Sequence, residues 1–257
     1  MPGQAVTAEQ IAAGLFGKLP GQGDFITRRL PQAFLRVWDP WLQSCLNQSR
    51  EALGDAWLDA YLTSPIWRFV LTAGIAGQTP WCGLLMPSVD RVGRYFPLTV
   101  ACALPQGTNP FLALSSGHEW LDSAQSLMLD ALEGALSLEE LDTGLMQLSS
   151  LPGTPAPSTQ TVSPAPLEPR GWRLGLSESR YMPHATFAFL HLALQELFLS
   201  YSLWWSAGSE RVAPSLLLCQ GLPVEQAFPA LYTGDWGAGQ WWNLGDPITD
   251  AGLGEPA

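Results

Sequence analysis

Three short apolar runs, at residues 66–72, 81–86 and 98–104, constrain the fold of this chain more than any other feature. They are short, contain β-branched or aromatic residues and are bounded by glycine or proline, which is typical of strands. The segments between them are too short to hold a crossover helix, so consecutive runs should pair as antiparallel neighbours. The sequence therefore predicts a sheet that contains an antiparallel block.

Helical patterns alternate with the apolar runs along the chain. Asp39 followed by Pro40 predicts the start of a first helix, because aspartate caps a helix and proline suits its first turn. Other helices are predicted at 119–136 and 183–200, and other strands at 14–19, 172–176, 202–207 and 215–220. Because helices and strands interleave, we expect an α/β fold with helices on both faces of one mixed sheet.

A proline-rich stretch divides the sequence. Residues 152–171 hold six prolines among small and polar residues, a composition that predicts a disordered loop. The strands that follow this stretch are too few for a second core. We therefore predict one domain over residues 14–245, interrupted by that loop, with flexible ends at 1–13 and 246–257.

Composition and charge argue against several classes of function. The net charge is −11, and the acidic excess lies after residue 100, which disfavours nucleic-acid binding. The four cysteines have no metal-binding spacing and lie in apolar segments, so we expect free thiols in a reducing compartment. No signal peptide or membrane-spanning run is evident, which predicts a soluble, cytoplasmic chain without membrane insertion.

The segment at 86–99, between two predicted strands, carries more charge than a simple turn needs. It contains Asp90, Arg91 and Arg94. Elsewhere, Arg68 interrupts an apolar strand, so its charge should be paired or lie at an edge. One interpretation is a structural ion-pair network that joins Arg68 to Asp24 or Asp90. The other is an arginine-lined patch that docks an anionic group or a partner loop. The ion-pair interpretation and the docking interpretation are compatible with each other.

Two catalytic or nucleotide-binding interpretations find little support in the residues. Ser88 near Asp90 lacks the G-x-S-x-G context of a hydrolase, and no histidine lies near it in the sequence. Gly17-Lys18 departs from the phosphate-binding loop pattern, since Ala12 and Leu19 stand where a glycine and a hydroxyl residue belong. Trp204 and Trp205 should face opposite sides of a strand, leaving one of them available as an interface anchor.

Ordered blocks of the sequence carry a family resemblance over about residues 14–237. The blocks are Gly17-Lys18-Leu19-Pro20-x-x-Gly23-Asp24-Phe25, Arg28-Arg29-Leu30-Pro31, Trp38-Asp39-x-Trp41-Leu42, Ser64-Pro65-Ile66-Trp67-Arg68-Phe69, the whole segment from Met86 to Thr99, Ser202-x-Trp204-Trp205-Ser206 and Gly221-Leu222-Pro223. Together they resemble the TagF (ImpM) family of type VI secretion-associated proteins.

The resemblance implies a three-layer α/β/α sandwich around a mixed, partly antiparallel sheet. It also implies a cytoplasmic regulator rather than an enzyme: a post-translational repressor of type VI secretion that opposes activation by threonine phosphorylation. Binding to the forkhead-associated scaffold protein Fha has been described in the family. The resemblance supplies no catalytic residue, cofactor or metal ligand to carry over.

We therefore expect a surface that binds a protein partner. The candidate residues are Asp24, Arg28, Arg29, Arg68, Ser88, Asp90, Arg91, Arg94, Trp204 and Trp205. An alternative hypothesis is a sensor or enzyme that binds an anionic small molecule or nucleotide through a cluster of Arg68, Asp90 and Arg91.

Overall fold

The structure is a computed structural model that describes residues 12–148, 182–238 and 241–244, with the backbone alone for 182–185. The predicted strand at 172–176, the proline-rich loop at 152–171 and the tail at 246–257 lie outside these residues. So does the predicted flexible N-terminus, apart from residues 12 and 13.

The described strands form one seven-stranded sheet in the order β2-β1-β5-β4-β3-β6-β7. Their bounds are β1 Gly14–Gly17, β2 Ile26–Arg28, β3 Trp67–Leu71, β4 Trp81–Met86, β5 Leu98–Ala103, β6 Tyr201–Ser206 and β7 Ser215–Gln220. The three apolar runs of the sequence are β3, β4 and β5, and they pair antiparallel as predicted. The α/β class of the fold is thereby confirmed.

Every pair of neighbouring strands in the described sheet is antiparallel, so the sheet is not mixed as expected. Interleaved helices require parallel pairing only where a helix joins two adjacent strands. Here the helices between β2 and β3, and those between β5 and β6, join strands that are not adjacent in the sheet. Each crossover therefore ends beside a strand that runs in the opposite direction.

The described helices cover both faces of the sheet, which gives the three layers that were predicted. They are α1 Gln32–Leu53, α2 Trp57–Leu62, α3 Pro110–Ser116, α4 His118–Leu132, α5 Leu138–Gln147, α6 Met182–Leu197 and α7 Ala230–Thr233. On one face α1, α2 and α7 pack on an aromatic core with Trp67 and Phe69 of β3. On the other face α4 and α5 pack on Val70 and Leu84.

Helix α1 begins earlier than predicted. It starts at Gln32 and contains Pro40 inside its length, although a proline there removes one backbone hydrogen bond. Phe34 and Trp38 precede the proline and lie on the same buried face as Trp41 and Leu42. We attribute the longer helix to this aromatic burial, since fully burying a large side chain stabilises by roughly 1.5–3 kcal/mol.

The structure also bears on the expectations for the cysteines and for membrane-spanning segments. All four cysteines are buried, and burial raises the pKa of Cys102 to about 11. No helix in the described part of the chain has the length and apolar character needed to cross a bilayer.

Candidate functional site

The 86–99 segment forms a tight turn between β4 and β5 that Asp90 holds from inside. One carboxylate oxygen of Asp90, Oδ1, accepts hydrogen bonds from the backbone N–H groups of Val92 at 3.0 Å and Arg94 at 2.9 Å. The backbone N–H groups of Asp90 and Gly93 donate to Arg94 O and Asp90 O, both at 3.0 Å. Gly93 has a φ of 88°, a left-handed conformation that favours glycine.

The second carboxylate oxygen of Asp90 lies between two cations. Oδ2 accepts from Lys18 Nζ at 2.8 Å and from Arg94 Nε at 2.6 Å. The side chains of Asp90 and Lys18 are buried. Burial by itself raises the pKa of Asp90, but the hydrogen bonds from Lys18, Arg94 and Val92 outweigh it and hold that pKa well below its usual range. Asp90 is therefore a buried anion whose negative charge is balanced by Lys18 and Arg94.

Further contacts join this turn to the turn between β1 and β2. The guanidinium of Arg94 donates to Gly23 O, and the backbone N–H of Arg91 donates to Gln22 O at 2.9 Å. Ser88 Oγ donates to Lys18 O at 2.7 Å. The two turns are consequently one structural unit, although about seventy residues separate them in the sequence.

Tyr61 of α2 fixes the base of this unit. Its hydroxyl donates to Ser88 O at 2.7 Å and accepts from the backbone N–H of Ser88 at 2.9 Å. Burial raises the pKa of Tyr61, so the hydroxyl keeps the proton that it donates. Ser88 is itself buried: its hydroxyl binds the backbone of Lys18, and its backbone binds the hydroxyl of Tyr61 and the N–H of Phe96.

The unit presents an exposed tip, which we define as Asp24, Phe25, Arg91 and Val92. Phe25 is 49% exposed, yet its ring stacks on Phe16 and lies edge-on to Phe96. Val92 is 65% exposed. No carboxylate among the described residues forms an ion pair with the exposed Arg91. The tip therefore combines a fixed aromatic ring, an aliphatic side chain and an unpaired cation.

Arg68 does not pair with Asp24 or Asp90, so that prediction is wrong. Its guanidinium binds Asp122 Oδ1 at 2.5 Å and Gln125 Oε1 at 2.9 Å, both on α4. The reason is strand alternation: Arg68 shares a face of β3 with Val70, and α4 covers that face.

The remaining predicted residues have different surroundings. Arg29 pairs with Asp142 of α5 at 2.7 Å and donates from Nε to Ala13 O at 2.8 Å, so it ties the start of the domain to α5. Arg28 is exposed on the edge strand β2.

The two predicted tryptophans lie on opposite faces of β6. Trp204 is fully buried, where it stacks on Trp38, whereas Trp205 is half-buried on the opposite face. The accessible candidate surface is thus smaller than the predicted set.

The structure gives little support to a cluster of Arg68, Asp90 and Arg91. No hydrogen bond or ion pair joins Arg68 to Asp90, because each has separate partners.

A small apolar cavity of about 10 Å³ lies near Tyr61, Trp67 and Tyr232, with room for about one water molecule. In the residues that the structure describes, no group of three or more His, Cys, Asp or Glu side chains could hold a metal ion.

Sequence reasoning missed the roles of Lys18 and Phe25. Lys18 was considered only as a phosphate-loop lysine, although its position directly after an apolar strand was a signal for a buried charge. Such a charge needs a partner, and the carboxylates in the candidate set were Asp24 and Asp90. The exposure of Phe25 had no signal in the sequence, since a phenylalanine after a turn predicts burial as readily as exposure.

Comparisons with known proteins agree on one family. The N-terminal domain of TagF, described as type VI secretion system-associated, matches residues 14–148, which include both turns of the site. The crystal structure of PA0076 from Pseudomonas aeruginosa PAO1 is similar at a TM-score of 0.72 and 37% identity, covering 93% of this chain and 100% of that chain. Among curated proteins there is no significant match.

Fold, motif and similarity together define a type VI secretion-associated protein. The chain belongs to the TagF family.

Proposed function

We propose that this protein is a cytoplasmic, post-translational repressor of a type VI secretion system that acts by binding a protein partner rather than by catalysis. One observation carries the proposal. The 86–99 segment, the longest block of the family resemblance, holds its shape through buried charges and presents the exposed Arg91 beside Val92 at its tip.

The chemistry of the tip suits a protein interface. Arginine and aromatic residues are enriched among the side chains that dominate binding energy. A surface that is already ordered loses less conformational entropy on association than a mobile loop does. Here the aromatic contacts of Phe25 and the hydrogen bonds to Asp90 supply that order before any partner arrives.

The proposed partner is the forkhead-associated scaffold Fha. Binding to Fha is described for the TagF family, and repression that opposes threonine-phosphorylation-dependent activation would follow from holding this scaffold in an inactive state. We assign the contact to the tip, with Arg28 and Trp205 as further candidates, because these side chains are exposed or partly exposed in the structure.

The test measures the affinity of the purified chain for Fha from the same host. Arg91→Glu should weaken binding at least tenfold, because it reverses the exposed positive charge of the tip. Arg36→Glu is the matched control, since Arg36 is also exposed but lies on helix α1. Circular dichroism and Tm should be the same for all three proteins.

Each negative binding result would contradict a different part of the proposal. If the wild type does not bind Fha, the proposed partner is wrong. If the wild type binds and Arg91→Glu binds equally well, the proposed surface is wrong. In the host, Arg91→Glu should raise type VI secretion relative to Arg36→Glu, and equal repression by both would contradict the link between tip and repression.

A further inference from the structure

Strand β7 forms one edge of the sheet and leaves alternate backbone groups unused. In the described structure its backbone pairs only with β6, and the bond from Gly221 N–H to Ser200 O at 3.0 Å sets the alternation. Residues 217 and 219 therefore exchange hydrogen bonds with β6, whereas the N–H and C=O groups of Leu216, Leu218 and Gln220 point outward.

The two edges of the sheet differ in how they are protected. At the opposite edge, β2 has three residues and is followed by Arg29, whose φ of 56° ends the strand. Strand β7 has six residues, with the sequence SLLLCQ, and carries no charge, proline or positive φ. Natural proteins usually protect a free edge of this length and character, so an unprotected one indicates a partner strand.

The face of β7 beside α6 is apolar and exposed. Leu216 and Leu218 are 61% and 44% exposed, and they share the face on which Leu194 of α6 packs against Leu203 of β6. On α6, Leu190 and Leu197 are seven residues apart on one flank of the helix and are also exposed. Exposed leucines on an open strand, and on a helix that packs over the same face of the sheet, are typical of an interface.

The geometry points to a second copy of this chain as the occupant, with the two β7 strands antiparallel about a two-fold axis at Leu218. This register pairs Leu218 with Leu218 of the second copy and Leu216 with its Gln220. All the outward N–H and C=O groups of the three residues then find partners. A register one step away, centred on residue 217, would bring in Pro214, which has no N–H to donate.

Symmetry and charge both favour this occupant. A two-fold axis perpendicular to the sheet keeps α6 of both copies on the same side and places Leu218 of one copy beside Leu218 of the other. The contact is closed, because each copy uses the same β7 edge in it. Strand β7 carries no charged residue, so pairing two β7 strands buries no charge of its own. The leucines and strand edges of two copies would bury on the order of 1,000 Å², the lower limit for a specific interface.

The experiment measures the mass of the full chain by sedimentation equilibrium up to roughly 100 μM, because interfaces of modest size reach only micromolar affinity in many cases. The wild type should have twice the mass of one chain. Leu218→Lys and Leu218→Glu should each be monomeric, because the two-fold axis places like charges directly opposite each other. Leu62→Glu, at an exposed leucine on α2, should remain dimeric as the control.

Mixing Leu218→Lys with Leu218→Glu tests the register itself. An equimolar mixture should form a heterodimer, since lysine then lies opposite glutamate. A monomeric wild type at the highest concentration would overturn the proposal, as would a dimer that both charged variants retain. Absence of a heterodimer in the mixture would overturn the Leu218-centred pairing. Circular dichroism of each variant establishes that the chain is folded in every comparison.

Discussion

Lys18 and Asp90 are 72 positions apart in the sequence and form a buried ion pair, with Lys18 Nζ at 2.8 Å from Asp90 Oδ2. The pair connects the turn after β1 to the turn after β4, and Arg94 completes it from the solvent side. A buried charge without its partner is strongly unfavourable, whereas the balanced pair is tolerated. The family motif therefore serves in large part to shape a loop, and its exposed tip is available to a partner.

Removing Lys18 should destabilise the protein more than removing an exposed cation. Lys18→Met keeps the apolar stem but leaves Asp90 with Arg94 as its remaining cation, so Tm should fall by several degrees. Arg36→Met changes an exposed cation and should leave Tm nearly unchanged. Thermal unfolding followed by circular dichroism measures both, and equal Tm values for the two variants would contradict a structural role for the ion pair.

Stability should fall with acid in a way that depends on Asp90. Its pKa is lowered in the folded state, so it contributes stability that is present above about pH 4, the ordinary aspartate value, and is lost as pH falls below it. In Asp90→Asn this contribution is absent at every pH. Urea unfolding from pH 6 to pH 2 should therefore show a smaller loss of free energy of unfolding in Asp90→Asn than in the wild type. Parallel curves for the two proteins would exclude Asp90 as a source of the pH dependence.

The order of the central strands could be predicted from sequence because it depends on local information. Short connections between apolar runs allow antiparallel neighbours and little else, and β3, β4 and β5 follow that rule. The direction of the outer strands depends on where a helical connection ends, which sequence spacing does not specify. For that reason the sheet was expected to be mixed, although all its described pairs are antiparallel.

The candidate site was predictable in its location but not in its pairings. The density of charge in the 86–99 segment marked this loop for attention, because a simple turn does not require it. Partners depend on which face of a strand a residue occupies and which helix covers that face. Arg68 faces α4 and binds Asp122, while Asp90 meets Lys18 from a distant turn. Such long-range contacts leave no periodic signal in a single sequence.

The last residue of the 86–99 segment should prove structural. Trp38 Nε1 donates to Thr99 Oγ1 at 2.9 Å inside the aromatic core. Thr99→Val keeps the shape but leaves this N–H unsatisfied, which should cost about 1–3 kcal/mol of unfolding free energy. Thr99→Ser keeps the acceptor and should cost less than Thr99→Val. Urea denaturation separates the two, and a more stable valine variant would rule out a contribution from this hydrogen bond.

Gly83 in β4 should not tolerate a side chain. A Cβ atom there would meet Val100 O of β5 and approach within 2.7 Å of the Phe69 ring. Gly83→Ala should therefore lower the free energy of unfolding by about 1–3 kcal/mol or more through overpacking. Gly21→Ala is the control, since nothing lies within 4 Å of its Cβ position. Chemical denaturation of both variants checks this, and a Gly83→Ala protein as stable as Gly21→Ala would show that the strands can separate without loss.

Arg91, at the tip, and Arg94, which binds Asp90, should have separable effects. Arg94 binds Asp90 and Gly23 O, whereas Arg91 has no ion-pair partner among the described residues. Arg94→Gln should lower Tm and expose the loop to limited proteolysis, because the turn loses one of its two cations. Arg91→Gln should leave both Tm and proteolysis unchanged and should weaken partner binding. If Arg91→Gln instead destabilises the loop as much as Arg94→Gln, then Arg91 belongs to the structural network, and the binding surface must be sought among Phe25, Arg28 and Trp205.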